Sequence, residues 1–152
     1  MKPVALASDH GGYQLKEIVK SVLDEAGIPY TDFGTASEDS CDYPDCAAPA
    51  ARAVSEGESD RAILCCGSGA GMAIVANKFS GVRAVNCYDE WSTRMSREHN
   101  DANAMTLGGR SLDPEEARRL VLLWLKTPFE GGRHARRTAK IAGIERSQET
   151  AV

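Results

Sequence analysis

The chain has 152 residues, which is typical of one domain and long enough to bury a hydrophobic core without disulfides or metals. Its net charge of −4 gives no general attraction for nucleic acid or for an anionic membrane, and no apolar run approaches the ~20 residues of a membrane span. With no signal peptide at the amino terminus, we expect a cytoplasmic protein with neither nucleic acid nor membrane as a partner.

Short apolar runs alternate with longer amphipathic segments along the chain. The apolar runs predict five strands, at about residues 3–8, 28–33, 61–66, 82–87 and 103–107. The amphipathic segments predict six helices, at about 13–26, 45–56, 70–78, 89–98, 113–126 and 132–145. Gly27 fits the residue after the first helix, and Asp89 and Asp113 fit N-caps. Pro49 is compatible with the second helix only if it lies near the first turn.

This alternation predicts the fold class and a functional edge. Strands that alternate with helices form a parallel sheet covered on both faces, here a three-layer α/β/α sandwich of Rossmann-like type in a single domain over 1–152. Ligands of such folds bind beyond the carboxyl ends of the strands. That rule selects five short segments as one rim, namely 8–10, 34–35, 66–71, 88–89 and 108–110.

The cysteines do not predict a disulfide framework or a metal site. There are five of them, an odd number, and the chain has no C-x-x-C pair and no paired histidines at ligand spacing. We therefore predict no metal. We interpret Cys87 as a small buried hydrophobe, and Cys41 and Cys46 in the same way.

A glycine-rich loop, CCGSGAGM at residues 65–72, joins the third strand to the third helix. Its backbone amides point towards whatever lies over the start of that helix, so the loop predicts an anion cradle. It is not a Walker loop, because no Gly-Lys-Ser/Thr follows. Gly67, Gly69 and Asp89 match part of a dinucleotide fingerprint, although Met72 replaces its third glycine. A nucleotide-binding module without catalysis therefore stays open as an alternative.

The two adjacent thiols of this loop have different predicted roles. Successive side chains of a strand point to opposite faces, so Cys65 and Cys66 cannot both face one site. Cys66 adjoins the loop, where the start of a helix favours the thiolate, and is the candidate for catalysis. Cys65 is then a packing residue.

Histidines and arginines supply the other candidates. His10 follows the first strand, His99 precedes the fifth, and His134 lies in a segment with three arginines. His99 could simply end a helix, where histidine interacts well with the dipole. The charges of Arg133 and Arg137 fit either a solvated basic face or a phosphate site.

At this point eight short motifs, taken in order, resemble a known family. They are SDHGG at 8–12, DYP at 42–44, CGSGAG at 66–71, ANK at 76–78, GVRA at 81–84, REHN at 97–100, GGR at 108–110 and EGGRH at 130–134. Together they resemble the B-type ribose-5-phosphate isomerases, in the family that also includes galactose-6-phosphate isomerase subunits. The resemblance covers residues 5 to about 140.

The resemblance implies an aldose–ketose isomerase that interconverts D-ribose 5-phosphate and D-ribulose 5-phosphate through an enediolate, without a cofactor. It implies that Cys66 is the base between C1 and C2 and that His99 opens the furanose ring. The groups it implies for binding the sugar, the enediolate oxygens and the phosphate are Asp9, His10, Gly67, Ser68, Gly69, Ala70, Gly71, Asn100, Arg110, Arg133 and Arg137. Tyr43 and His134 are further candidates.

The resemblance also implies a homodimer with sites at the interface, with a tetramer as the alternative. The last helix would then carry Arg133 and Arg137 to the partner's site. Some members use a glutamate base on the helix after the loop; here that position is Met72, which places the chain with the cysteine type. Isomerisation of a six-carbon sugar 6-phosphate, such as allose or galactose 6-phosphate, remains an alternative activity.

Overall fold

The computed structural model describes residues 1–151 and contains one parallel sheet of five strands in the order β2-β1-β3-β5-β4. The strands are β1 Val4–Ser8, β2 Tyr30–Asp32, β3 Ala62–Cys66, β4 Ala84–Asn86 and β5 Ala104–Gly108. The helices are α1 Tyr13–Ala26, α2 Tyr43–Ser55, α3 Ala70–Ala76, α4 Glu90–Glu98, α5 Pro114–Lys126 and α6 Arg133–Glu149. Within residues 1–151 no helix has both the length and the apolarity to cross a membrane. The predicted three-layer fold is confirmed.

Two hydrophobic cores lie on the two faces of the sheet. On one face, residues of α1 and α5 such as Leu23 and Trp124 pack on alternate strand residues that include Cys65. On the other face, alanines of α2 pack with Met72 of α3 and with Cys66. The period of two along β3 therefore separates the adjacent thiols, as the sequence predicts.

The main differences from the predicted elements fall at the sheet edges and in α2. The two edge strands, β2 and β4, are shorter than predicted, although backbone hydrogen bonds at Pro29, Phe33 and Cys87 continue the pairing beyond their ends. The placement of Pro49 near a first turn is wrong, because α2 starts at Tyr43 and Pro49 is its seventh residue. Proline has no amide hydrogen, so the carbonyl of Asp45 has no donor four residues later in the helix. Asp45 and Pro49 are both exposed, and water can therefore bond to this carbonyl. Burial of Ala47, Ala50 and their neighbours offsets the loss.

The path of the helices defines two edges of the sheet. At the carboxyl edge β3 and β5 end together, with Cys66 opposite Gly108. At the amino edge they begin together, with Ala62 opposite Ala104. Helix α4 starts after the end of β4 and finishes before the start of β5, so it returns the chain from the carboxyl edge to the amino edge. Helix α5 makes the same return, and Leu125 near its end accepts a hydrogen bond from Arg61 beside the start of β3.

Candidate active site

An open cleft of about 630 Å³ lies at the carboxyl edge. Its size is in the range of small-molecule sites. The cleft is lined by Asp9, Tyr43, Cys66, Gly67, Ser68, Gly71, Ile74, Arg110 and Ser111. The structure therefore brings together residues from three of the five predicted rim segments, 8–10, 66–71 and 108–110, and none from 34–35 or 88–89.

Cys66 ends β3 at the base of this cleft and is 5% exposed. Its Sγ accepts a hydrogen bond of 3.0 Å from the amide of Gly69. Cys65, in contrast, is fully buried in the opposite core, and burial raises the pKa of its thiol far above the ordinary value. Of the two adjacent thiols, only Cys66 lines the cleft.

The glycines give the loop its shape. Gly69 has φ +83°, and a Cβ there would lie 2.3 Å from Oδ1 of Asn86. A Cβ at Gly71 would lie 2.7 Å from the ring of Tyr43, which packs over it. Helix α3 has only seven residues, so the loop acts through individual amide hydrogen bonds more than through a long helix dipole. The exposed Ser68 accepts a hydrogen bond of 3.2 Å from the Ala70 amide at its Oγ.

Polar side chains on neighbouring loops complete the cleft. Asp9 is 7% exposed, and its Oδ1 accepts a hydrogen bond of 3.0 Å from the amide of Gly12. Nδ1 of His10 lies 3.2 Å from both the amide nitrogen and the carbonyl oxygen of Cys41. The amide of Arg110 donates to the carbonyl of Gly67 at 3.0 Å, which places an exposed guanidinium beside the glycine loop.

A second cluster of predicted residues lies at the amino edge. His99 follows the last residue of α4, and its ring stacks on that of His134, with the centroids 4.0 Å apart and the planes at 11°. His134 is 4% exposed, whereas Arg133 and Arg137 beside it on α6 and Asn100 beside His99 are exposed. We call His99, Asn100, Arg133, His134 and Arg137 the histidine–arginine cluster.

The electrostatics of the histidine–arginine cluster favour an anion. Burial lowers the pKa of His134, and the nearby His99 and Arg133 lower it further, while Glu130 acts in the opposite sense. The Nε2 of His134 lies 3.3 Å from a carboxylate oxygen of Glu130 but makes no hydrogen bond in the described structure. The cluster thus has an excess of donors and cationic groups.

The same histidines raise the question of a metal. Ligand atoms of His99, Glu130 and His134 lie within 4.8 Å of one another. Imidazole nitrogens bind metals along lone pairs in the ring plane, and two nearly parallel stacked rings do not aim those lone pairs at one ion. The arrangement fits ring stacking better than a metal centre.

Cys66 and His99 do not share a site within one chain. They lie at opposite edges of the sheet, separated by β5, whose four residue steps span about 13 Å. Helix α6 also packs on its own chain, where Glu145 accepts hydrogen bonds of 2.9 and 3.0 Å from the Gly81 amide. The expectation that both catalytic candidates reach one sugar is therefore not met by a single copy.

Asp89, the acid of the partial dinucleotide fingerprint, has a structural role. Its side chain accepts a hydrogen bond of 2.7 Å from the Ser92 amide, and the Ser92 hydroxyl accepts one of 3.2 Å from the Asp89 amide. This capping box occupies the carboxylate that a ribose would need. The structure confirms the predicted N-cap and weakens the nucleotide alternative.

Sequence reasoning missed three residues beside the predicted ones. Ser111 and Ile74 line the cleft, and Glu130 contacts His134. Ser111 directly follows the rim segment 108–110, so the rule on strand ends could have found it. An apolar residue such as Ile74, which is 63% exposed, gives no such signal.

Comparison with known proteins defines the class. The chain belongs to the ribose/galactose isomerase family, whose model matches residues 4–141. It is 44% identical over 145 residues to ribose-5-phosphate isomerase B of Escherichia coli (95% of this chain, 97% of the relative). It is 36% identical over 150 residues to D-erythrulose-4-phosphate isomerase of Pectobacterium atrosepticum (98% and 99%). The structure of ribose-5-phosphate isomerase B from Clostridium thermocellum superposes with a TM-score of 0.94 at 47% identity, over 97% of this chain and 99% of the other.

Proposed function

We propose that this chain is an aldose–ketose isomerase that interconverts D-ribose 5-phosphate and D-ribulose 5-phosphate through an enediolate. The hydrogen bond from the Gly69 amide to Sγ of Cys66, inside an open polar cleft, is the observation that carries the proposal. Aldose–ketose exchange needs one base beside a weakly acidic C–H and donors for the oxyanion that develops. Membership of the ribose/galactose isomerase family supports this choice of reaction and substrate.

The carboxyl-edge cleft performs the proton transfer in this proposal. Cys66 takes the proton from one of the carbons C1 and C2 and returns it to the other. Amides of residues 67–71 and the Ser68 hydroxyl bind the enediolate oxygens. Asp9 is held in place by its bond to Gly12 and binds a sugar hydroxyl, while His10 and Arg110 bind other polar groups of the substrate.

The histidine–arginine cluster performs ring opening and phosphate binding. His99 moves a proton from the anomeric O1 hydroxyl to the ring oxygen O4 as the C1–O4 bond breaks, and Asn100 binds the opened sugar. Arg133 and Arg137 stand one helical turn apart on α6 and form charge-assisted hydrogen bonds with the phosphate. His134 supports His99 through the stacked rings.

The proposed reaction needs two copies of the chain. Cys66 and His99 lie at opposite edges, so a complete site forms when the amino edge of one copy meets the carboxyl edge of another. A two-fold dimer makes two such sites. Helix α6 fits an interface, because His134 is the one buried residue among Arg133–Glu149, while Ile141 and Ile144 are 48% and 61% exposed. In this arrangement His99 and Asn100 act in trans together with Arg133 and Arg137. A tetramer built from such dimers is compatible with the same sites.

Turnover by the purified chain tests the proposal. We expect kcat/KM for D-ribose 5-phosphate to exceed the values for allose and galactose 6-phosphates. D-Erythrulose 4-phosphate is the second candidate substrate, because the relative from Pectobacterium matches nearly the whole chain. Faster turnover of a four- or six-carbon sugar phosphate would reassign the substrate. Binding of a dinucleotide with no turnover of any sugar phosphate would overturn the proposed function.

A further inference from the structure

Cys41 and Cys46 are two thiols that the proposed reaction does not use. Their Sγ atoms lie 3.9 Å apart, and both residues are partly exposed. Asp42 is the N-cap of α2, so Cys41 is the residue before the cap and Cys46 is the fourth residue of the helix. Apolar residues at these two positions commonly pack together and fix the angle at which the chain enters a helix. Here the contact is made by two thiols, so it can become covalent.

Both sides of this contact are connected to the cleft. The amide nitrogen and carbonyl oxygen of Cys41 are each 3.2 Å from Nδ1 of His10. Tyr43, the first residue of α2, packs its ring over Gly71. A change at the thiol pair is therefore transmitted to Tyr43, which lines the cleft, and to His10, which follows the cleft residue Asp9.

We propose that Cys41 and Cys46 form a reversible oxidation site, in which hydrogen peroxide closes a disulfide that displaces Tyr43 in the wall of the cleft and His10 next to the cleft residue Asp9. The disulfide itself is independent of what the enzyme turns over. Only the consequence for catalysis rests on the proposed function.

The oxidation balances with peroxide as the oxidant. The sulfur of Cys41 attacks one peroxide oxygen, the O–O bond breaks, and Cys41 becomes a sulfenic acid with release of water. The sulfur of Cys46 then attacks that sulfur, the S–O bond breaks, and the hydroxyl leaves as water with the thiol proton. Two thiols lose two electrons in total, and peroxide is reduced to two waters. Burial and the neighbouring Cys41 raise the pKa of Cys46 to about 11. Because the thiolate is the nucleophile, the first attack on peroxide is assigned to Cys41, and Cys46 gives up its proton to the leaving hydroxyl as it attacks the sulfenic acid.

Closure of the bond changes the packing at the start of α2. The sulfur atoms have to approach from 3.9 Å to about 2.0 Å, by rotation of the two side chains together with movement of the chain around them. The contacts of His10 at 3.2 Å are at the long end of the hydrogen-bond range, so in this proposal a small movement of the Cys41 backbone is enough to break them. The other described thiols are poorly placed, because Cys65 and Cys87 are fully buried and Cys66 faces away from Cys65.

Peptide mapping of the full chain tests the bond directly. The protein is treated with stoichiometric hydrogen peroxide, alkylated under denaturing conditions, and digested with a protease that cuts before aspartate. Cuts before Asp42 and Asp45 place Cys41 and Cys46 in separate peptides that only a disulfide can join. We expect the joined pair in the oxidised sample and its loss after dithiothreitol. Recovery of both cysteines alkylated, or of separately oxidised peptides, would overturn the proposal.

Matched variants test the consequence. We expect oxidation of the wild type to raise its KM for the sugar phosphate about five-fold over the untreated enzyme, which is the factor for one lost hydrogen bond. Dithiothreitol should restore the original KM. Cys46→Ala and Cys41→Ser keep the backbone contacts of His10 and should hold their KM at the same peroxide dose. An equal loss in the variants would mean that another thiol, such as Cys66, is the target, and the effect on the cleft would be refuted. Turnover of untreated enzyme reports on the proposed function separately.

Discussion

The amide of Gly69 donates a hydrogen bond of 3.0 Å to Sγ of Cys66, and this pair joins the glycine loop to the candidate base. The loop makes this bond because Gly69 adopts φ +83° and has no Cβ to meet Asn86. Next to it the Ala70 amide donates a hydrogen bond of 3.2 Å to Oγ of Ser68, which lines the cleft. One local backbone conformation thus places an amide donor against the sulfur of Cys66 at the base of the cleft.

Replacement of Cys66 tests the assignment of the base. We expect Cys66→Ser to lower kcat by about 10²- to 10⁴-fold, the usual contribution of a positioned acid–base group, because a hydroxyl is a far weaker base. Cys65→Ser is the matched control: it buries a hydroxyl in the core, which costs about 1–3 kcal/mol of stability, and leaves kcat nearly unchanged. Steady-state kinetics and urea unfolding measure both effects. Equal, small losses of kcat in the two variants would contradict the assignment.

Replacement of Gly69 tests the loop. We expect Gly69→Ala to lower kcat at least ten-fold, because the new methyl group would lie 2.3 Å from Asn86 and the amide would turn away from Cys66. Gly27→Ala is the control, since Gly27 also has positive φ (+67°) but no atom within 4 Å of an added Cβ. It should cost about 1–2 kcal/mol in unfolding free energy and leave kcat unchanged. If both variants lose activity equally, backbone strain alone explains the loss.

The direction of the reaction tests His99. His99→Asn should slow turnover of D-ribose 5-phosphate more than turnover of D-ribulose 5-phosphate, because the ketose cannot form a furanose that needs opening. Initial rates in both directions measure this difference, with ring closure kept from limiting the reverse reaction. Equal losses in the two directions would refute a role in ring opening.

Mixing of inactive variants tests the two-chain site. Cys66→Ser and His99→Asn place their defects at opposite edges of the sheet. In a mixed dimer one site takes both defects and the other takes none, so we expect about half of wild-type activity per mixed dimer. Cys66→Ser mixed with Arg110→Ala is the control, because both defects lie at the same edge and every site keeps one. Absence of recovery after proven subunit exchange would show that each site is built within one chain.

The low pKa of His134 predicts a pH dependence of stability. Its folded pKa lies below the ordinary value because burial, His99 and Arg133 disfavour the charged ring. As the pH falls below about 6.5, His134 therefore binds a proton in the unfolded chain before it does so in the folded chain. The free energy of unfolding decreases from that pH down to the pKa of His134 in the folded protein. Urea midpoints at about pH 7.5 and pH 5.5 measure the change. His134→Gln should flatten this part of the profile; an unchanged slope would assign the effect to other groups.

The strand ends and helix caps at the carboxyl edge could be predicted from the sequence because their causes are local. The period of two along a strand places Cys65 and Cys66 on opposite faces of the sheet. The apolar runs show where the strands end. Asp89 and Asp113 cap the helices that follow them, by accepting hydrogen bonds from the amides of Ser92 and Glu116. Strand ends in a parallel sheet lie at one edge, so the rim could be predicted before any coordinates were known. The ordered motifs of the chain led to its family, which the comparisons confirm.

Contacts between distant segments were decided only by the tertiary structure. His99 follows the end of α4, and a crossover helix returns the chain to the opposite edge from Cys66, a separation that a linear order of motifs does not contain. The stacking of His99 on His134 and the contact of Cys41 with His10 join residues 35 and 31 positions apart. Packing also overrode a local rule at Pro49, where burial of the alanine face of α2 outweighs a missing backbone bond. Periodicity and caps act over a few residues, whereas these contacts depend on how the sheet and its helices are arranged in space.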